Sequence, residues 1–395
     1  MIIRSSLENP LPRFVLLYAA MYAAYGVASP FLPAFVNERG LPPEELGLVL
    51  AAGTAIRLVS APLAARIGDL IQGLRVVLIV CVTLASAVTL GYLAARGLWA
   101  FLLLSLLHAA ALAPMTVLAD ALALGSASPP RGSGRRGFEY GWVRGTGSAA
   151  FIVGTLVSGQ LVTGLGLGII VWLQASLLGA AALAAFLVPE LVHDRTPKAV
   201  RAPAGGVLVL LRIPLFRYLI LVAALILGSH AMHDAFAVIR WSAAGIGPAT
   251  ASLLWSESVA AEVLVFFFIG PALVTRFTPA GAMALAALAG ALRWTVMAQT
   301  SDVAALAIVQ PLHGITFALL HLACMRLIAR IVPDGLEGTA QAIYGTVAVG
   351  GATALLTFAS GALYERLGAQ GFWLMAGLCA LAFPLTWRLR QRALR

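Results

Sequence analysis

Apolar and polar positions in this chain fall in blocks, not in alternation. Apolar runs of about 20 residues recur almost from end to end, and each is long enough, as a helix, to cross a hydrocarbon core of about 30 Å. Polar, glycine- and proline-containing connections separate them. The pattern predicts twelve helices, over about 12–37, 43–66, 74–95, 98–125, 138–163, 166–189, 213–241, 247–274, 279–298, 302–330, 336–364 and 370–391. Strands of alternating polarity are absent, which argues against a β-barrel. The expected fold class is an all-α membrane protein.

Composition agrees. Of 395 residues, 61% are hydrophobic and 11% charged, roughly half the charge fraction of a soluble protein. A net charge of +10 would suit nucleic acid, but the basic residues are short flanks between spans. Membrane topology accounts for them better, and no nucleic-acid partner is expected. The stretch after Pro12 runs on too far for a cleaved leader and lacks a small-residue cleavage site. Cys81, Cys324 and Cys379 all lie in apolar runs and read as packing residues, so no disulfide set, metal site or cofactor is expected.

The connections alternate in charge. One side collects Arg4, Arg13, Arg75, Arg131, Arg135, Arg136, Arg195, Lys198, Arg201, Arg276, Arg330 and the tail arginines. The other holds little beyond Arg39, Arg96 and Arg366, with Glu38, Glu44, Glu45, Asp302 and Glu365 among them. The positive-inside rule places both termini in the cytoplasm, as expected for a multi-pass protein of a bacterial-type inner (plasma) membrane. Residues 190–212 have the Pro, Gly and charge content of a cytoplasmic linker, dividing an N-terminal bundle, 1–189, from a C-terminal one, 213–395.

The halves look like copies. SGQLVTGLG (158–166) matches SGALYERLG (360–368) at an offset of 202. GLPPEELGLVL (40–50) lies over GIGPATASLLW (245–255) at 205, which superposes Arg57 on Glu262. Two pseudo-symmetric six-helix bundles follow, the architecture of facilitator-type transporters, whose substrate site lies between the halves near mid-membrane. With that site inside one chain, a monomer is the default.

Ionisable residues inside the spans are candidates for function, since a charge at the bilayer centre costs at least about 2.5–3.5 kcal/mol. Arg57 is central in helix 2 and suits an anion or a hydroxyl; its bland alternative is a structural ion pair. Asp120 and Arg144 lie near the cytoplasmic ends of helices 4 and 5 and are expected to pair. His230 and Asp234 are one turn apart on helix 7, with His233 beside them. Glu257 and Glu262, five residues apart, point roughly 140° from each other, and Glu262 is the choice for the cavity. Arg293 is central in helix 9 and could compensate either acid. His313 and His321 lie close to one face of helix 10. With Glu262, Asp234 and His230 they make a set able to exchange protons near neutral pH; the bland alternative is neutral imidazoles bonding their neighbours. Tyr18, Tyr22, Tyr25, Trp241, Phe317 and Tyr344 are candidate ring-stacking walls, or ordinary packing residues. Four embedded arginines (57, 144, 293, 326) face four embedded acids (120, 234, 257, 262), so an anionic substrate needs a protonated histidine or acid beside it.

PLAARIGDLIQGLR (62–75) resembles the loop signature after the second helix of the major facilitator superfamily, departing from it at Ala65 and Leu70. The resemblance gives Asp69 and Arg75 a gating role. Within the superfamily the chain is similar to the phenylpropionate permease-like branch, related to oligosaccharide and nucleoside proton symporters. The residues carrying this are PFLP (30–33), Asp120, Tyr140, Arg144, His230, Trp241, Glu262, Arg293-Trp294, Gln310, HGITFALLHLA (313–323) and QAIY (341–344). The resemblance implies a proton-coupled symporter for a small organic solute such as an aromatic carboxylate, working by alternating access. It adds Gln341 to the substrate-contacting residues Arg57, Asp120, Arg144, Tyr22, Tyr25, Trp241, Arg293, Phe317 and Tyr344. Protons are assigned to His313, His321, Glu262, Asp234 and His230. His233, Asp234, Glu257 and Arg326 depart from what the branch leads one to expect. A sugar or nucleoside symporter, or an exporter of the same fold, stays open; relatives of the lactose-permease type hold sugar with an acid and an arginine on the helices of Asp120 and Arg144. An intramembrane enzyme lacks a nucleophile motif here, and a passive channel would need no titratable set.

Overall fold

The computed structural model describes residues 9–127, 137–190 and 205–393. Arg4, Arg131, Arg135, Arg136, Arg195, Lys198, Arg201, Arg395 and most of the expected linker lie outside the described residues. Contacts divide the chain into two units.

Unit 1, residues 1–41 and 52–196, carries α1 (Leu11–Ala28), α2 (Leu32–Glu38), most of α3 (Pro43–Ile71), α4 (Leu74–Gly91), α5 (Gly97–Ala127), α6 (Tyr140–Leu165) and α7 (Ile169–Leu187). The first expected span is thus two helices; Ser29 and Pro30 interrupt it, because Pro30 lacks the N–H a continuing helix needs. α1 packs on α6 and α7, and α4 on α5 and α7, around a core that includes Phe14, Leu17, Met21, Leu78, Leu118 and Leu178. Small residues let α1 and α6 touch: a Cβ on Gly26 would fall 2.1 Å from the Phe151 carbonyl oxygen, and one on Gly154 2.5 Å from that of Ala23. Such close backbone approach is a main source of helix association in lipid. Thr155 Oγ1 donates to Gly26 O at 2.9 Å. The contact brings Tyr22 of α1 against Arg144 of α6.

Unit 2, residues 42–51 and 197–395, contains the start of α3, then α8 (Gly206–Arg212), α9 (Pro214–Gly228), α10 (Ala231–Ala243), α11 (Pro248–Leu264), α12 (Gly270–Gln299), α13 (Val303–Val309), α14 (Leu320–Ile331), α15 (Glu337–Ile343), α16 (Ala352–Leu367) and α17 (Phe372–Ala393). α8 lies within the expected linker; it ends at Ile213, which precedes Pro214 and is held extended. Three stretches are wound as π-helix: Val265–Ile269, Gly314–Leu319 and Tyr344–Gly351. π turns are rare and gather at functional sites.

Ten helical stretches are long and apolar enough to span a membrane. Two of them, Pro248–Gln299 with 52 residues and Glu337–Gln391 with 55, are far longer than one crossing of about 20 residues. Each breaks near its middle, at Thr278 (φ 65°) and at Gly368 (φ 53°), which restores the twelve expected spans. The repeat shows in the backbone too. Gly166 and Gly368, 202 positions apart, both take positive φ (79° and 53°), as do Gly40 and Gly245, 205 apart (96° and 84°). Only glycine adopts that conformation without strain, so both repeated motifs end or begin a helix with the same device.

Candidate functional site

Each unit holds a polar cluster among its apolar helices. In unit 1 the centre is Asp120 on α5. Its Oδ1 accepts from Tyr18 Oη and, at 2.6 Å, from Tyr140 Oη. Arg144 Nη1 stands 3.7 Å from the same oxygen and also donates to Tyr22 Oη. The expected Asp120–Arg144 pair is present, with its acid largely committed to two phenols. Tyr18 stacks on Tyr22 (5.7 Å, 12°), Tyr22 meets Tyr25 edge-on (5.6 Å), and the Arg144 guanidinium lies 5.5 Å from the Tyr22 ring centre. Tyr25 Oη donates to Leu112 O at 3.2 Å. Arg57 is exposed and its guanidinium meets no hydrogen-bond or ion-pair partner among the described residues.

The cluster in unit 2 is built on Arg293, which is fully buried. Its Nε and Nη2 donate to Gln310 Oε1 at 3.1 and 2.6 Å. Nη1 approaches His313 Nδ1 at 3.2 Å and Nη2 approaches His233 Nε2 at 3.4 Å. Among the described residues, no carboxylate makes an ion pair with it directly. Each histidine instead leads to one: His313 Nε2 lies 3.5 Å from Glu262 Oε2, and His233 Nδ1 3.3 Å from Asp234 Oδ1. His230 packs edge-on to His313 (5.3 Å) and bonds Thr316 Oγ1 at 2.9 Å. His313 also stacks on Phe317 (5.5 Å, 14°).

Other expected residues stand apart from this chain. His321 bonds Tyr344 Oη at 3.2 Å and stacks on Phe266. It lies near the same helical face as His313, but about 12 Å of rise separates the two, so they meet different neighbours. Trp241 is fully buried beside His233. Gln341 is exposed, and Arg326 is exposed and donates to Thr275 Oγ1 at 2.7 Å. Asp69 is exposed and makes no side-chain contact with Arg75 among the described residues. Arg75 donates to Val188 O at 3.0 Å and faces Glu190 at 3.7 Å.

Three residues escape sequence reasoning. His233 is given no role there, yet it is central here. Arg240 is buried and donates to the carbonyls of Met297 and, at 2.8 Å, Thr300, closing the end of α12; the four embedded arginines become five. His108 is buried, edge-on to Tyr92, with no partner for Nε2 among the described residues. Its only signal is a lone histidine in the apolar run LLLSLLHAAALAP.

Two repeated helical bundles with ionisable clusters inside the spans are the architecture of facilitator-type transporters, and the proteins this chain resembles are transporters, not enzymes. The chain belongs to the MFS_1 like family, whose model matches residues 12–375. It is 34% identical over 369 residues to a probable 3-phenylpropionic acid transporter of Escherichia coli (strain K12), covering 91% of this chain and 92% of that one. It is 25% identical to the maltose permease of Geobacillus stearothermophilus, over 93% of this chain and 91% of the permease. Among solved structures, the nucleoside transporter NupG superposes with a TM-score of 0.82 at 16% identity, over 96% of this chain and 99% of that one.

Proposed function

We propose that this chain is a proton-coupled symporter that carries a small aromatic carboxylate inward by alternating access, as a monomer in a bacterial-type inner membrane with both termini in the cytoplasm. The observation that carries the reading is the division of charge in unit 1. Asp120 is engaged by Tyr18, Tyr140 and Arg144, whereas Arg57 has no counter-ion among the described residues. A cation available to a ligand, beside a run of tyrosine rings, suits a carboxylate attached to an aromatic ring. Asp120, Arg144, Tyr22 and Tyr25 then position the substrate with Arg57. Phe317, Trp241, Gln341, Tyr344 and Arg293 are the further candidates in unit 2, and Asp69 and Arg75 set the conformational equilibrium. The likeness to a probable 3-phenylpropionic acid transporter supports the same substrate class.

Proton handling is assigned to unit 2, where Glu262, His313, His230 and Asp234, with His321 nearby, supply the titratable groups. The sugar reading rests on the Asp120–Arg144 pair and on the similarity to a maltose permease.

The test is uptake into proteoliposomes of the purified protein under an imposed inward proton gradient. Radiolabelled 3-phenylpropionate should accumulate and leak away on adding a protonophore. Accumulation of maltose or of a nucleoside in its place would reassign the substrate. Uptake indifferent to the gradient would remove the coupling.

A further inference from the structure

The hydrogen bonds of Arg293 specify more than its own position. A guanidinium only donates. His313 Nδ1, 3.2 Å from Arg293 Nη1, is therefore the lone-pair nitrogen of its ring, and the ring proton sits on Nε2, the atom facing Glu262 at 3.5 Å. The orientation of Gln310 is fixed in the same way. Its Oε1 takes two bonds from Arg293, so its amino group is the one at 3.3 Å from His233 Nε2. That nitrogen thus faces two donors, from Arg293 and from Gln310, and must carry the lone pair. The proton of His233 is left on Nδ1, 3.3 Å from Asp234 Oδ1. The result is a line of five groups: Glu262, His313, Arg293, His233 and Asp234. They come from α11, the residues just before the π turn at 314, α12 and α10.

Two carboxylate–imidazole pairs therefore share one guanidinium. A second proton on either ring would have to sit on the nitrogen that Arg293 now contacts, placing N–H against N–H and cation against cation. Neither ring can become imidazolium until Arg293 withdraws from it. The other groups around the line leave this intact. His230 turns Nδ1 to the Ile226 and Leu227 carbonyls at 3.1 and 3.2 Å, and the Cys379 thiol is held by Ser229 Oγ at 3.3 Å. Ring packing restrains the rotation that would let His233 escape: it stacks on Trp255 (5.0 Å, 24°) and lies against Trp241 and Trp294.

We infer that Arg293 is a positioning residue that clamps His313 in its Nε2–H form and His233 in its Nδ1–H form, and so makes the Glu262–His313 and Asp234–His233 pairs compete for one guanidinium. Either ring then becomes imidazolium only when Arg293 has swung to the other pair, so the two rings are not charged together. This rests on the assignment of proton handling to unit 2, and gives His233 a task that neither the family resemblance nor the substrate reading supplies.

The tautomers can be read directly by nitrogen-15 NMR of the full chain in lipid, labelled at histidine, without substrate or gradient. Signals are assigned by single His→Gln variants. At neutral pH, His233 should show the Nδ1–H tautomer, the less common one for a free imidazole, while His313 shows Nε2–H. In Arg293→Gln both should relax to mixtures. Arg293→Lys, whose single ammonium cannot bridge two rings, should restore at most one. An imidazolium signal from either histidine in the parent protein, or His233 as the Nε2–H form, overturns the clamp. So does an Arg293→Gln protein with both tautomers unchanged. The parent spectrum decides the matter even if Arg293→Gln does not fold. Because no transport is measured, a wrong substrate or absent proton coupling leaves this result standing, and the two readings fail separately.

Discussion

Glu262 Oε2 stands 3.5 Å from His313 Nε2, on the side of the ring away from Arg293. A carboxylate beside an imidazole N–H can take a proton without disturbing the guanidinium, so Glu262 is the first acceptor in unit 2. Glu262→Gln should abolish gradient-driven uptake while leaving exchange of preloaded substrate largely intact. His321→Asn, made separately, should behave alike. If Glu262→Gln still accumulates substrate like the parent, the coupling assignment is wrong. If only His321→Asn does, His321 serves chiefly to hold Tyr344.

Arg57 carries the substrate reading. Arg57→Gln should raise the KM for an aryl carboxylate at least tenfold, which corresponds to about 1.4 kcal/mol, with little change in thermal stability, since the side chain is exposed. An unchanged KM would move the anion site elsewhere.

Asp69 lies in the last turn of α3, just before Gln72, which takes positive φ (51°), while neighbouring Arg75 is bonded to the end of α7. We expect Asp69→Asn to slow transport while substrate affinity shifts by less than about tenfold, or roughly 1.4 kcal/mol. Equal losses in rate and affinity would assign Asp69 to binding instead.

Topology is checked at two described turns. A cysteine replacing Gln72 should react with an impermeant thiol reagent only from the cytoplasmic face. One replacing Arg96 should react only from the opposite face. The reverse pattern would invert the assignment made from the basic flanks.

Within unit 2, the start of α3 presses on α16. A Cβ on Gly361 would fall 2.7 Å from Pro43 O and 3.0 Å from Glu44 O, and Glu365 Oε2 accepts the Glu44 backbone N–H at 2.9 Å. Gly361→Val should lower thermal stability by an amount typical of overpacking, about 1–3 kcal/mol. Removing the Glu365 cap by Glu365→Ala should cost about 1 kcal/mol. A Gly361→Val protein as stable as the parent would show that the contact yields freely.

The spans, their number and the twofold repeat were legible in the sequence, since each depends on properties local to a segment. An apolar run matched to bilayer thickness is a helix wherever it sits, and a repeated motif keeps its glycine where a left-handed turn is needed, as at Gly166 and Gly368. The Asp120–Arg144 pair was legible for the same reason, as two opposite charges near the same ends of consecutive helices. Sequence also marked nearly every residue of the unit 2 cluster, because a charge or imidazole in an apolar run stands out.

Only the tertiary structure decided which of those groups meet. Arg293 could have answered either acid by charge alone; it reaches two histidines and Gln310 instead, and each histidine passes to its own carboxylate. His313 and His321, alike in the sequence, part company because depth along the helix sets their neighbours. Arg240 was overlooked because nothing in the apolar pattern says that a side chain will reach the Met297 and Thr300 carbonyls. Bilayer thickness fixes the length of an apolar run, but not the rotation and depth at which packed small residues and π turns lock one helix against the next. Those two quantities place every donor opposite its acceptor.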